Sequence, residues 1–196
     1  MKYNTVLFEG VSGAGKSTVI SRIFYDLKLR GLNVAIIPDI THFTHILIPH
    51  NNLFEGGGIE EFCYYFLFLD RLRWHHHCLH ILRTTQEHTI LLIDESPLTE
   101  YCVFKVRGGR EKIAKVMDAE LELYYEQIDR IYYIQPQFDE TYKHVKKGIE
   151  YVRKVEMFRM ADKVLLDYLK KKQGDKLVIC GGDINQKIKT IERDLG

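Results

Sequence analysis

Cysteine is scarce and scattered: Cys63, Cys78, Cys102 and Cys180 form no C-x-x-C pair in 196 residues. Such spacing argues against a disulfide framework and reads as reduced thiols, so a cytoplasmic setting is expected. Long apolar runs are also missing. The longest, Phe62 to Leu69, has eight residues, against the roughly 20 that cross a bilayer. No apolar stretch with a small-residue cleavage site stands near the start, so no secretory signal is expected. Neither sign of charge prevails, with 28 Lys+Arg against 27 Asp+Glu. That balance advertises no anionic macromolecule, and neither a nucleic-acid nor a membrane partner is expected. No repeat, low-complexity tract or Ser/Pro-rich linker divides the chain, so residues 1–196 are expected to form one domain.

What is present is alternation. Five short apolar runs, at 5–9 (TVLFE), 33–37 (NVAII), 89–93 (TILLI), 130–134 (RIYYI) and 176–180 (KLVIC), read as strands. They are continuous rather than strictly alternating, as strands covered on both faces are. Between them lie helical patterns. Val19, Ile20, Ile23, Phe24 and Leu27 recur at helical spacing and Gly31 follows as a C-terminal cap. Further helices are expected near 59–86, 111–128, 138–147, 153–172 and 184–194. The fold class expected is α/β, a five-stranded parallel sheet with helices on both faces.

The first strand runs into Gly10–Ser17 (GVSGAGKS), a full match to G-x-x-x-x-G-K-[ST] that opens the next helix. Glycines there let backbone N–H groups turn toward phosphate oxygens, and the helix start adds partial positive charge. Lys16 is expected on the β/γ-phosphates and Ser17 on Mg²⁺. Gly10, Ser12, Gly13, Ala14, Gly15, Lys16, Ser17 and Thr18 are therefore the candidate nucleotide contacts, with ATP and Mg²⁺ as the expected cofactors. Asp94, ending the third strand, is the candidate magnesium partner of Ser17. Glu95 follows it, where an ATPase would place a carboxylate to activate water. A guanine-specific switch is disfavoured, because Asn185-Gln-Lys187-Ile188 lacks the aspartate of N-K-x-D.

Across most of its length the sequence resembles the thymidylate kinase and deoxynucleoside kinase group of P-loop phosphotransferases. FEGVSGAGKST resembles that group's phosphate loop, and Pro38-Asp39 falls where it places an acid facing the acceptor. Phe68-Leu-Asp70-Arg71 resembles the acceptor-site helix, Asp94-Glu95-Ser96 the D/E-R-Y/S triplet, and Tyr151 to Leu169 the arginine-bearing lid with its helix. LVICGGD at 177–183 is similar to the last strand with its adenine-contacting turn. The resemblance implies a three-layer P-loop fold and a lid near 143–160. It also implies Gly181 and Gly182 beside the base, Arg71 against the acceptor and Arg153 closing the phosphate clamp, with Arg159 second. An arginine in that last role is worth about 10³–10⁵ in rate. A homodimer through helices near the aromatic run 62–68 is a further implication.

One departure matters. The group's triplet carries an arginine where this chain has Glu95, which inverts the charge beside the acceptor. A small-molecule acceptor is expected, either a nucleoside monophosphate or a nucleoside. A nucleoside would suit Asp39 as general base, whereas Arg71, Arg73, Arg107 and Arg110 are available to hold a phosphate. Asp39, Arg71 and Glu95 are thus the candidate acceptor contacts. Two alternatives stay open: a kinase of a non-nucleotide hydroxyl compound, and an ATPase or switch acting on a protein partner. Val106–Arg110 reads as a flexible basic loop, and the aromatic run as a helix buried on several sides. His75, His76, His77 and His80 with Cys78 read as a polar helix face, since two ligands per face do not close a metal site. His42 and His45 are weak candidates for the acceptor pocket.

Overall fold

A computed structural model describes residues 3–39, 59–85, 88–137 and 149–196, with backbone alone at 59–60 and 149–154. The five strands are β1 (Thr5–Glu9), β2 (Val34–Ile37), β3 (Ile90–Asp94), β4 (Arg130–Ile134) and β5 (Leu177–Cys180). The helices are α1 (Lys16–Leu29), α2 (Ile59–Thr85), α3 (Leu98–Val106), α4 (Glu111–Glu126), α5 (Ile149–Lys172) and α6 (Ile184–Leu195). All strand pairs are parallel, in the order β2-β3-β1-β4-β5. The chain therefore leaves β1 toward one edge and, after β3, crosses to the other side of β1. Crevices for ligands form at such a reversal, beyond the carboxyl ends of the strands.

Side-chain alternation divides the core in two. Val6, Phe8, Ile90, Leu92, Tyr132 and Ile134 pack with Val19, Ile20 and Ile23 of α1 and Ile191 and Leu195 of α6. Leu7, Leu91, Ile93, Ile131 and Tyr133 face the opposite way, against α2, α3, α4 and α5. The three inner strands β3, β1 and β4 are covered on both faces, which is why their sequences are continuous apolar runs. The edge strand β5 instead leaves Ile179 45% exposed. Helix α1 ends as expected at Gly31, whose φ is 78°. Leu32 N–H donates to Leu27 at 3.2 Å and Gly31 N–H to Lys28 at 2.9 Å, a Schellman closure.

Three expectations need correction. Helix α3 was absent from the sequence reading, although Ser96-Pro97 is a legible start signal: the Ser96 hydroxyl accepts from Leu98 N–H at 3.0 Å. The stretch 106–110 is a closed turn rather than a flexible loop. Gly109 N–H donates to Phe104 O at 2.9 Å, and a Cβ at Gly109 would enter the Phe104 ring. Helix α2 is not buried all round: Phe68, Leu72 and Leu79 are in the core, but Phe62 and Phe66 are 54% and 51% exposed. Helix α5 starts at 149, so residues 149–160 of the expected lid are helical. The expected helix at 138–147, His42, His45 and the Arg153 side chain lie outside the described residues. Among those described, no helix is long and apolar enough to cross a membrane.

Candidate functional site

The site begins where β1 stops. Gly10 has φ 146°, and a Cβ there would sit 2.6 Å from the Ile134 carbonyl oxygen. Only glycine lets the chain pass that close to β4. The loop closes through Ala14 N–H to Val11 O at 3.1 Å, and Gly13 and Gly15 also have positive φ. Gly15 is the N-cap of α1 and offers no side-chain acceptor to the first N–H groups of the helix.

Lys16 folds back under this loop. Its ammonium donates to Gly10 O at 2.6 Å and pairs with Glu95 Oε2 at 2.7 Å. Burial alone would lower its pKa, but the Glu95, Asp94 and Glu9 carboxylates outweigh that and raise it. Ser17, on the next residue of α1, donates to Asp94 Oδ2 at 2.8 Å across 77 residues. Asp94 is 9% exposed, its Oδ1 has no hydrogen-bond partner among the described residues, and burial raises its pKa. A buried orphan carboxylate oxygen beside a hydroxyl is a fitting pair of hard ligands for Mg²⁺, which usually takes one or two protein oxygens plus phosphate and water. Among the described residues no group of three His, Cys, Asp or Glu gathers as a metal cage.

Glu95 joins this centre to a second one. It is a non-glycine residue at φ 67°, a backbone state that costs about 1–3 kcal/mol and needs strong tethers. The tethers are Lys16, the Arg71 guanidinium at 3.3 Å, and its own N–H to Phe8 O at 3.0 Å. Burial would raise the Glu95 pKa, but Lys16 and Arg71 bring it down to about 2. Arg71 is 2% exposed and also meets Asp39 Oδ1 at 2.8 Å, Glu100 Oε1 at 3.0 Å and Ser96 O at 3.1 Å. Burial pushes the Glu100 carboxyl up to about 8 although Arg71 pulls the other way.

A third layer lies beneath. Glu9 is fully buried; Tyr125 Oη donates to its Oε1 at 2.8 Å, and Tyr125 and Ser96 Oγ are 3.1 Å apart. Burial raises the Glu9 pKa to about 7. Beside the loop, the turn at Gly181–Gly182 is held by Gln137 Nε2 to Gly182 O at 2.9 Å. Ile184 approaches the Cβ position of Gly15 at 3.0 Å.

The sequence-predicted residues Lys16, Ser17, Asp39, Arg71, Asp94 and Glu95 are therefore gathered at one end of the sheet, with Gly181 and Gly182 near the loop. Ser12, Gly13, Ser17 and Thr18 are exposed along it. Arg107 and Arg110 are elsewhere engaged: Arg107 stacks over Tyr64, and Arg110 pairs with Glu61 at 2.6 Å. Arg73 and Arg159 are exposed. Sequence reasoning missed Glu9, Glu100, Tyr125 and Lys187. For Glu100 a signal existed, since an acid in the first turn of the unrecognised α3 was available. The histidine run also divides: His75 turns inward to Tyr124 Oη at 2.9 Å, and His76 meets Gln127. The four cysteines are free. No protein-family model and no curated protein matches the chain.

Proposed function

We propose that this chain is a P-loop phosphotransferase that moves the γ-phosphate of Mg–ATP to a hydroxyl group of a small acceptor, in the manner of the thymidylate and deoxynucleoside kinases it resembles. The observation that carries the reading is the convergence of Lys16, Ser17 and Asp94 at the end of β1 and β3. They bring an ammonium, a hydroxyl and an orphan carboxylate oxygen under a glycine-rich helix start. Lys16 and the loop amides would hold the β/γ-phosphates. Ser17 and Asp94 would hold Mg²⁺, which spreads the charge of the transferring group when bound. The acceptor oxygen bonds to the γ-phosphorus, the bridging oxygen leaves with ADP, and the acceptor proton passes to Asp39.

The charge around Arg71 supports a nucleoside over a monophosphate. Its guanidinium is shared among Asp39, Glu95 and Glu100, so the donors that would meet an acceptor phosphate are already engaged. Asp39, the most open of the three at 18% exposure, suits a hydroxyl that must lose a proton. The water-activating alternative is weakened by the low pKa of Glu95; a carboxylate tied to two cations is a poor base. Free thiols fit a cytoplasmic setting. The exposed Phe62, Phe66, Trp74 and Ile81 on α2 support a homodimer through that helix.

The test is ADP release from Mg–ATP, alone and with nucleosides and nucleoside monophosphates including thymidine and its monophosphate. Stimulation by a nucleoside is the expected result. Stimulation by a monophosphate alone would overturn the acceptor assignment, and turnover indifferent to the whole panel would overturn the nucleoside and nucleotide kinase reading. Glu95→Gln adds a second discrimination. It should change acceptor affinity in a kinase, but trap bound ATP in a switch.

A further inference from the structure

One buried charge beside the loop has no role in the reading above. Lys187 stands on the first turn of α6 and is 3% exposed. Its ammonium donates to the Ala14 carbonyl at 3.2 Å, across 173 residues. That is its one side-chain hydrogen bond, and it makes no ion pair among the described residues. Asp183, on its own helix, is the N-cap, accepting from Gln186 N–H at 2.9 Å. The other buried cations, Lys16 and Arg71, are set against carboxylates. Lys187 alone among them is left with a single neutral carbonyl, an expensive arrangement for an ammonium out of water.

The carbonyl it holds explains why the arrangement persists. Ala14 O and Gly15 N–H belong to the same peptide unit, at the point where the loop becomes helix α1. A cation on the carbonyl polarises that unit and strengthens its N–H as a donor. The charge that lacks a counter-ion lies against the loop assigned to a polyphosphate. Resting on the nucleotide reading, we infer that Lys187 is a positioning residue of the phosphate loop. It fixes and polarises the Ala14–Gly15 peptide and contributes a buried positive charge that is balanced when an anion occupies the loop. It also ties the Gly181–Gly182 turn to the loop, because the capping box at Asp183 anchors the same helix.

The experiment measures Mg–ADP affinity by titration calorimetry and the nucleotide-free unfolding midpoint for wild type, Lys187→Met and Lys187→Gln. Methionine keeps the buried stem without the charge, and glutamine keeps a donor for Ala14 O without the charge. Both variants are expected to bind Mg–ADP about tenfold or more weakly, the scale of one charge-assisted contact. Nucleotide-free Lys187→Met should melt at or above the wild-type temperature, because an unbalanced buried charge has gone. Wild-type affinity in Lys187→Gln would overturn the role of the charge. A lowered midpoint with unchanged affinity in Lys187→Met would reduce Lys187 to a structural pin and overturn the inference. Absence of Mg–ADP binding by wild type would instead sink the nucleotide reading, and this inference with it.

Discussion

Arg71→Met should turn the buried acid cluster against the fold. In the wild type one guanidinium serves Asp39, Glu95 and Glu100 at 2.8, 3.3 and 3.0 Å. Removing it leaves the Asp39, Glu95 and Glu100 carboxyl groups facing one another, with Lys16 still reaching Glu95. Losing one partner of a buried ion pair costs about 3–5 kcal/mol, a large share of the roughly 5–15 kcal/mol that holds a domain together. For a domain of this size about 2–4 °C is lost per kcal/mol, so the midpoint should fall by about 6–20 °C. The loss should also depend on pH. Without Arg71, the Glu100 carboxyl, raised to about 8 even beside it, is raised further, and Glu95 keeps only Lys16 to lower it. A raised Glu100 pKa contributes stability that is present below about 4.5 and lost as pH rises, so the variant loses stability between pH 5 and 8. Adding Glu100→Gln should recover part of the loss, most at pH 8, by removing a buried carboxyl that has lost its cation. Thermal unfolding at pH 5, 6.5 and 8 reads all three effects. A variant melting within 2–3 °C of wild type at pH 8 would refute the reasoning, because the carboxylates would not depend on Arg71.

Other consequences follow from the same geometry. The Glu9 pKa is raised to about 7, so its contribution is intact below its unfolded value of 4.5 and is lost as pH rises through 7. Glu9→Gln should flatten the stability–pH curve between pH 5 and 8, where the wild type loses about 3 kcal/mol from this group. Asp94→Asn should weaken Mg–ATP binding about tenfold or more, the scale of one charge-assisted contact. It should leave magnesium-free ADP binding near wild type, a pair of affinities that calorimetry separates. Gly10→Ala should destabilise strongly and abolish Mg–ADP binding, since its Cβ would lie 2.6 Å from Ile134 O at a φ of 146°. Soluble, nucleotide-binding Gly10→Ala protein would contradict that close approach.

Much of the architecture was written in local pattern. Five apolar runs matched five strands to within a residue at every end, because the inner strands, covered on both faces, need unbroken apolar sequence and the edge strands stay largely apolar. Gly10–Ser17 and Asp94 were legible for a related reason: positive φ, a helix start and a strand end are properties of a few consecutive residues. Helix α3 was missed because it is a short segment of nine residues between β3 and the Gly108–Gly109 turn.

Tertiary structure decided what those residues touch. Nothing local in Arg71 says that Asp39, Glu95 and Glu100 will converge on it; a surface arginine has the same neighbours in sequence. The convergence requires β3 to pair with β1 and α2 to pack over that edge of the sheet. The same holds for Lys187, which looks like any helix lysine until α6 docks beside the loop 173 residues away. Sequence periodicity encodes which face of an element is apolar, so it settles the elements and the loop that joins them. Charges act through space, so their partners and their protonation are set only when the strand order brings distant segments within a few ångströms.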